Sequence, residues 1–478
     1  MGGNYERGMY NQLMEVMARL DMVEKEHKKE VFRLKDEISD LKKENQRLLD
    51  ENAHLKNIIN HNSSNTSRPP STDQKGGKAV NTYHGRQKTS RKAGGQNGHK
   101  GTTLTKAEVE EKIRSGRCRH EIKTIGNPKA SVYVTKYIVD LNVETVITEV
   151  RIYADKDGNI PIPPECRSDV VYGANVKALA VALYSEGVMS NDRIAAFLNA
   201  AGGDALGLSE GSVYSFCRKL AEASEESVRH LEEFLLKEKV VATDATTVTV
   251  NGKQNYIRNF STENTVVYHA MNSKSIPVLE KLPFLLEFGG ILLHDHETAL
   301  YHFGTGHAEC NVHIIRYLRK NTEETGNGWS GEMIRLLCGM NTKRKELMDR
   351  GERIFSEETI TEYEGKYREL IQKGRKENKK TPHKYARQDE RALLNRMEAY
   401  SENHLLFLHD FDVPFDNNIS ERDLRKAKNR QKMAGGFRKE SGNAMYCIIL
   451  TMIETLKKRK MGMIENLRKL YMGASAIF

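Results

Sequence analysis

The chain has 478 residues, which exceeds one ordinary domain and predicts about three or four folding units, each able to bury its own core. Lys and Arg outnumber Asp and Glu by 75 to 65, and the resulting net charge of +10 favours a polyanionic partner such as nucleic acid. The sequence has no run of about 18 apolar residues and no apolar secretory signal, which excludes a membrane partner and predicts a cytoplasmic protein.

Residues 1–60 carry a heptad repeat. Leucines share one seven-residue register, which only His27 interrupts: Leu13, Leu20, Leu34, Leu41, Leu48 and Leu55. The polar residues Asn45 and Asn52 lie in the companion seam, where asparagine specifies a two-stranded register at a cost in stability. We predict a parallel coiled-coil homodimer. The alternative is a single amphipathic helix that folds against its own chain.

Residues 61–103 are predicted to be a flexible, basic linker. The stretch is rich in Ser, Asn, Gly and Lys and poor in residues that could form a core. Between residues 68 and 101, eight Lys or Arg face only Asp73, so we expect contact with DNA phosphates that weakens as salt rises. The basic residues that we expect to bind DNA are Arg86, Lys88, Arg91, Lys92 and Lys100. An inert tether is the alternative.

Residues 130–160 show the alternation of short strands, and we predict a small β module over residues 104–168. Cys118, His120 and Cys166 suggest zinc, but a structural zinc site needs four ligands, usually in closely spaced pairs. Only the first two of these residues are close in sequence. We therefore expect no zinc.

Residues 169–236 have the periodicity of helices. Two helices are predicted to begin after Ser190 and Ser209, because serine is a favoured N-cap residue. The segment between them is longer than the tight turn of a helix-turn-helix motif. A DNA-binding role and a plain helical connector therefore both remain open for this segment.

Residues 237–478 are predicted to begin with three antiparallel strands, followed by a helical stretch and a short apolar fourth strand. This is the opening of the ribonuclease H-like fold, in which carboxylates from the first strand, the end of the fourth strand and a later helix converge. Asp244, Asp295 and Glu421 occupy those places. Carboxylates gathered in this way can hold two Mg²⁺ ions, or Mn²⁺, for phosphoryl transfer.

A carboxylate lies within a strongly basic stretch near the C-terminal end, NNISERDLRKAKNRQK. On one helix, four of its residues would share a face: Asn417, Glu421, Arg425 and Lys428. We expect Arg425 and Lys428 to hold phosphates beside Glu421. Arg422 either braces the acids or forms an ion pair within the helix. Asp423, about 200° from Glu421 around the helix axis, should serve neither role. A solvated amphipathic helix is the alternative.

Several segments together resemble the insertion-sequence sixty-six family of DDE transposases. They are RKAGGQNGHKG in the linker, TDATTVTVNGK, FGGILLHDHETALYHFGTGHAECNVHIIRYL and DFDVPFDNNISERDLRKAKNRQKMAGGFRKESG. The resemblance implies that Asp244, Asp295 and Glu421 are the metal-binding, catalytic acids. It also implies that Cys310, His313 and Arg316 form the family's Cys-x-x-His-type motif, whose role is either structural or one of active-site positioning.

The resemblance further implies a helical insertion from about residue 320 to 404, within which we expect Trp329 to anchor a core. Relatives often carry a cysteine-paired zinc module between the linker and the helical segment, whereas this chain keeps only Cys118 of that pattern. We therefore expect the module at residues 104–168 to be degenerate and held together by packing.

The predicted fold class is α+β and multidomain, with a ribonuclease H-like catalytic domain. The resemblance implies a nucleoid-associated bacterial transposase that cleaves one DNA strand at element ends and joins the 3′-end to target DNA. Double-stranded DNA, a second copy of the chain and accessory proteins of the same element are its expected partners. The alternative is a catalytically inactive or domesticated DNA-binding protein derived from a transposase.

Overall fold

The computed structural model describes most of the chain. The described residues are 3–62, 65–66, 104–116, 118–125, 134–141, 143–163, 166–203 and 205–478. The linker residues predicted to contact DNA lie outside the described residues: Arg86, Lys88, Arg91, Lys92 and Lys100. Their contact with phosphates therefore stays a prediction.

Helices account for most of the regular structure, beside one small sheet. The helices of the described residues are α1 (Gly3–Ile59), α2 (Lys106–Arg114), α3 (Ala174–Glu186), α4 (Asn191–Ala201), α5 (Glu210–Ala223), α6 (Glu225–Leu236), α7 (Ile276–Leu279), α8 (Pro283–Glu287), α9 (Asn311–Thr325), α10 (Gly328–Asp349), α11 (Glu357–Asn378), α12 (Lys384–Ala399), α13 (Ser401–His409), α14 (Asn418–Asp423), α15 (Arg425–Ala434), α16 (Glu440–Lys458) and α17 (Met463–Tyr471). The strands are β1 (Val240–Val250), β2 (Lys253–Ser261), β3 (Val266–Met271), β4 (Ile291–His294) and β5 (Gly306–Glu309). Within the described part of the chain, no helix combines the length and the apolar character that a membrane span requires.

The chain divides into two compact units. The first unit contains Met1–Asn81, Glu238–Thr243 and Leu285–Asn418. The second unit contains Thr82–Lys237, Asp244–Phe284 and Ile419–Phe478. The chain passes from the first unit to the second within β1, between Thr243 and Asp244.

The sheet is mixed and has the strand order β3-β2-β1-β4-β5. β1 is parallel to β4, β4 is parallel to β5, and β2 is antiparallel to β3. Asn251 and Gly252 join β1 to β2 with φ angles of 49° and 73°, as a two-residue hairpin of type I′ requires. The four predicted strands are therefore confirmed. β5 was missed, because its sequence GHAE has neither an apolar run nor an apolar alternation.

In the second unit, α16 covers the outer edge of the sheet. The edge strand β3 directs the N–H groups of Val266 and Tyr268 away from β2, and they donate to Thr455 Oγ1 at 3.1 Å and Thr451 Oγ1 at 2.9 Å. Both threonines are fully buried. These hydroxyls accept hydrogen bonds from backbone N–H groups that would otherwise be free to pair with another strand. α16 therefore ends the sheet at β3.

Both predicted helix starts between residues 169 and 236 are confirmed. Ser190 and Ser209 are the N-cap residues of α4 and α5, and the Ser209 side chain accepts a backbone N–H of its own helix. Gly462 is the N-cap residue of α17. α16 begins at Glu440, with Lys439 as its N-cap residue.

The predicted small β module is not a sheet in the residues that the structure describes between 104 and 163. α2 is followed by extended chain and a turn, and no strand pairing is present there. The apolar side chains that produced the alternation are exposed, for example Ile138 at 94% and Ile147 at 84%. Alternation predicts a strand only where a partner strand and a covered face exist, and this segment has neither.

The N-terminal segment is one continuous helix, α1, as predicted. The leucines of its heptad register are exposed, and pairing with a second copy stays a prediction. The last turns of α1 contact α12 of the same unit. The N–H of Lys384 donates to Asp50 Oδ1 at 3.4 Å, and the rings of His54 and Tyr385 lie 4.6 Å apart.

The predicted insertion is helical and has its own core, which confirms Trp329 as an anchor. Trp329 is fully buried, and its indole N–H donates to Glu390 Oε1 at 2.6 Å. Four further side chains donate to the Glu390 carboxylate: Asn321, Asn327, Asn378 and Thr381. Burial raises the pKa of Glu390, but these donors outweigh burial and hold the pKa below its usual value.

Gly374 on α11 gives a test of this core. A Cβ atom at Gly374 would lie 2.6 Å from Leu394 Cδ2 and 2.7 Å from Trp329 Cδ2. We expect Gly374→Ala to lower the free energy of unfolding by roughly 1–3 kcal/mol through overpacking, as measured by chemical denaturation. Gly365→Ala is the control on the same helix, because its Cβ would meet no atom within 4 Å and should stabilise the helix. Equal effects of the two substitutions would contradict the packing described.

Candidate active site

In the first unit, Asp295 lies directly after β4. The apolar residues Leu292 and Leu293 are fully buried, whereas Asp295 is partly exposed. Its Oδ1 atom lies 3.0 Å from Nδ1 of His313, which is in the first turn of α9. Cys310, the N-cap residue of α9, completes a group in which one ligand-type atom of each residue lies within 4.8 Å of the others. The fold thus brings the predicted acid and the Cys-x-x-His motif together.

Arg316 orients this imidazole. Its Nη1 atom lies 3.2 Å from His313 Nε2. The Asp295 carboxylate faces the other ring nitrogen, Nδ1. Burial lowers the pKa of His313, while the neighbouring Cys310 and Asp295 raise it, and the net direction is well above its usual value. His313 thus lies between the Arg316 guanidinium and the Asp295 carboxylate and contacts both.

Burial and charge act in opposite directions on Asp295 itself. Burial raises the pKa of the carboxyl group, and the neighbouring His313 and Arg316 lower it. The net direction is below the usual value, so Asp295 is an anion near neutral pH. A charged carboxylate beside a partly open surface is a suitable ligand for a divalent cation.

Asn417 links two segments of the first unit next to the acids. It is fully buried; its backbone N–H donates to Cys310 Sγ at 3.3 Å, and its side chain donates to the carbonyl of Thr243 at 2.9 Å. The prediction that Asn417 shares a helical face with Glu421 is therefore wrong. Asn417 precedes α14, and its amide satisfies a buried carbonyl of β1.

In the second unit, Asn259 connects the segments that carry Asp244 and Glu421. The N–H of Asp244 in β1 donates to Asn259 Oδ1 at 3.2 Å. Ser420, the residue before Glu421 in α14, donates its hydroxyl to the same oxygen at 2.7 Å. Both acids are half-buried. The side-chain amide of Asn259 thus binds both the backbone of Asp244 and the residue that precedes Glu421.

The basic residues around Glu421 have different surroundings. The predicted single helix is divided into α14 and α15 at Leu424, whose side chain is fully buried. Arg422 and Arg425 are exposed, and Lys428 is half-buried. Asp423 is buried and lies 2.8 Å from Lys458 Nζ, so it belongs to an ion pair within the second unit.

Glu309 at the end of β5 is a buried carboxylate that the sequence analysis missed. Its side chain has no exposed surface. Four side chains contact it: His296 at 2.7 Å, Tyr301 at 2.5 Å, Arg396 at 2.5 Å and His404 at 3.2 Å. Burial raises the pKa of Glu309, but the donors His296, His404 and Arg396 outweigh burial and hold the pKa far below 4.5. The cluster joins the insertion to His296, the residue after Asp295.

A family model described as Transposase IS66 family matches residues 169–445, more than half of the chain. The chain belongs to the IS66 transposase family. In this IS66-family transposase, the matched residues include all five strands, both ends of the insertion and the segments that carry Asp244, Asp295 and Glu421. A second model, described as a family of unknown function (DUF6444), matches residues 17–105. Searches of curated proteins and of solved structures each returned no match.

The Glu309 cluster predicts a large stability effect. Arg396→Met would leave the Glu309 carboxylate buried with one cation fewer, so we expect the free energy of unfolding to fall by roughly 3–5 kcal/mol in urea denaturation at pH 7. Arg368→Met is the control, because the Arg368 side chain is 71% exposed and pairs with Glu364 at the surface. Its effect should stay below about 1 kcal/mol. Similar losses of unfolding free energy in both variants would contradict the stabilisation of the buried Glu309 carboxylate by Arg396.

The same cluster predicts a pH dependence. Because the pKa of Glu309 is depressed in the folded state, its contribution to stability is fully present above the unfolded-state value near 4.5 and is lost as the pH falls below it. Arg396→Met should raise the folded-state pKa and make the loss of stability below pH 4.5 shallower. Parallel pH–stability curves for the wild type and the variant would contradict this account.

Proposed function

We propose that this IS66-family protein is a DDE-type transposase that cleaves DNA at element ends and transfers the 3′-end to target DNA, with Asp244, Asp295 and Glu421 as its metal-binding acids. The pairing of β1 with β4 is the observation that carries the proposal. Ala242 pairs with Leu293 in a parallel register. Continued by two residues, the same register would bring Asp244 beside Asp295.

The hydrogen bonds of Asn417 and Asn259 support the assignment of Glu421 as the third metal-binding acid. Asn417 binds the carbonyl of Thr243, next to Asp244, and lies four residues before Glu421. Asn259 binds the N–H of Asp244 and the hydroxyl of Ser420, next to Glu421. Strand order and direction also fit the ribonuclease H-like fold that we expected, with an antiparallel pair on one side of β1 and parallel strands on the other.

The donor set fits Mg²⁺ or Mn²⁺. The three acids offer carboxylate oxygens, which hard divalent cations prefer, and the Asp295 side chain is 25% exposed and open to an ion. Zinc fits less well at Asp295, because a zinc-bound histidine donates its second ring N–H to an acceptor, whereas His313 Nε2 faces the Arg316 guanidinium. When bound, a pair of such ions activates the attacking hydroxyl and stabilises the leaving oxygen.

The chain's own residues would hold the DNA and direct the acids. His313 fixes the orientation of Asp295 through its contact at 3.0 Å. Arg422 and Arg425 are exposed beside Glu421, where guanidinium groups can bind phosphates in a bidentate manner. Lys428 and the basic linker would add contacts to double-stranded DNA, which accounts for the net charge of +10 and would keep the protein on the nucleoid.

Substitution of the acids tests the proposal. We expect Asp244→Asn, Asp295→Asn and Glu421→Gln each to reduce Mg²⁺-dependent strand transfer of a 3′-end oligonucleotide by roughly 100-fold or more, because each removes a charged metal ligand. Binding to the same duplex should persist. Asp423→Asn is the control on α14 and should keep wild-type activity per folded molecule. Wild-type activity in an acid variant would contradict the site, and DNA binding without strand transfer by the wild type would favour an inactive DNA-binding protein.

Dimerisation through α1 is the second part of the proposal. Leu34 and Leu41 are 44% and 62% exposed, as residues of an open seam should be. We expect the wild type to sediment as a dimer at micromolar concentration and Leu34→Glu/Leu41→Glu to sediment as a monomer, because like charges would face each other across the seam. Lys29→Glu/Lys43→Glu, on the face of the helix opposite the seam, should remain dimeric. A monomeric wild type would refute the coiled-coil homodimer.

A further inference from the structure

Asn259 on β2 is a fully buried residue with no part in the sequence motifs. Its Oδ1 atom accepts two hydrogen bonds, from the N–H of Asp244 at 3.2 Å and from Ser420 Oγ at 2.7 Å. Its Nδ2 atom donates to the Ser420 carbonyl at 3.0 Å and to Ser261 Oγ at 3.0 Å. All of the hydrogen-bonding capacity of the amide is therefore used.

These contacts allow only one orientation of the amide. If oxygen and nitrogen were exchanged, the NH₂ group would face the N–H of Asp244, and the oxygen would face the Ser420 carbonyl. Both contacts would then be repulsive. The side chain is thus a short, rigid link of fixed direction between β1 at Asp244 and α14 at Ser420, and each end lies beside a predicted metal ligand.

We propose that Asn259 is a positioning residue that fixes the separation of Asp244 from Glu421 and thereby the affinity of the site for divalent metal. This inference rests on the proposed function. Asn259 would not bind the metal or DNA itself. It acts through the backbone of Asp244 and through both polar groups of Ser420, so its loss would let the two carboxylates move apart under their mutual repulsion.

A general contribution to folding is the alternative, since any buried amide with four hydrogen bonds stabilises the fold. Ser261 separates the two explanations. Its hydroxyl accepts from the same Nδ2 atom at 3.0 Å, and this hydrogen bond is separate from those that Asn259 makes with Asp244 and Ser420. Ser261→Ala therefore removes one buried hydrogen bond of Asn259 and leaves the links to both acids in place.

The test is a titration of the full-length protein with Mn²⁺, followed by electron paramagnetic resonance, which reports metal binding without requiring activity. We expect Asn259→Ala to weaken Mn²⁺ binding by roughly 10- to 100-fold, as the loss of an outer-shell partner typically does. Ser261→Ala should bind Mn²⁺ like the wild type. The Mg²⁺ concentration for half-maximal strand transfer should rise in parallel in Asn259→Ala alone, while binding to duplex DNA stays unchanged.

A second variant covers the case in which Asn259→Ala does not fold. Ser420→Ala removes only the hydroxyl donor to Asn259 Oδ1 and keeps the carbonyl contact, so a smaller loss of Mn²⁺ affinity is expected. Wild-type Mn²⁺ affinity in a folded Asn259→Ala or, failing that, in Ser420→Ala would overturn the inference. If Asp244→Asn also bound Mn²⁺ like the wild type, the proposed metal site itself would fail, which is a distinguishable result.

Discussion

The parallel pairing of β1 with β4 ends at Ala242 and Leu293, and an aspartate follows two residues later in each segment, within β1 and directly after β4. Both strands bury apolar side chains up to this point, since parallel strands are covered on both faces. A charged carboxylate cannot remain in such a core without a partner, and each aspartate occupies a half-buried position just beyond the paired residues. The proposed position of two of the acids therefore depends on the register of the sheet.

Buried polar side chains give the surrounding segments their fixed geometry. Glu390 gathers the donors of the insertion, and Glu309 joins the insertion to β5 and to His296 beside Asp295. Asn259 links β1 to Ser420 within α14, and Asn417, the residue before α14, binds the carbonyl of Thr243 in β1. Each of these groups would be costly to bury alone, and each is satisfied by several partners. Within each unit, such networks hold the segments that they join in a single arrangement.

Local patterns explain which features could be predicted from sequence. The Asn251-Gly252 turn and the serine caps depend on neighbouring residues, and the acids stand in motifs of recognisable order. Asn259 and Glu309 could not be found in this way, because their partners are up to 161 residues distant in sequence. The alternation near Ile138 predicted strands wrongly, because a strand also needs a partner that the segment itself cannot specify.

Convergence of three acids on shared metal ions is the central claim, and iron-mediated cleavage tests it directly. Fe²⁺ that replaces Mg²⁺ generates hydroxyl radicals in the presence of ascorbate and peroxide, and these cut the backbone beside the bound ion. Mass spectrometry of the fragments should place the cuts at three segments, around Asp244, Asp295 and Glu421, and excess Mg²⁺ should suppress all three together. Cuts at only one of these segments, or cuts that Mg²⁺ does not suppress, would contradict a shared metal site.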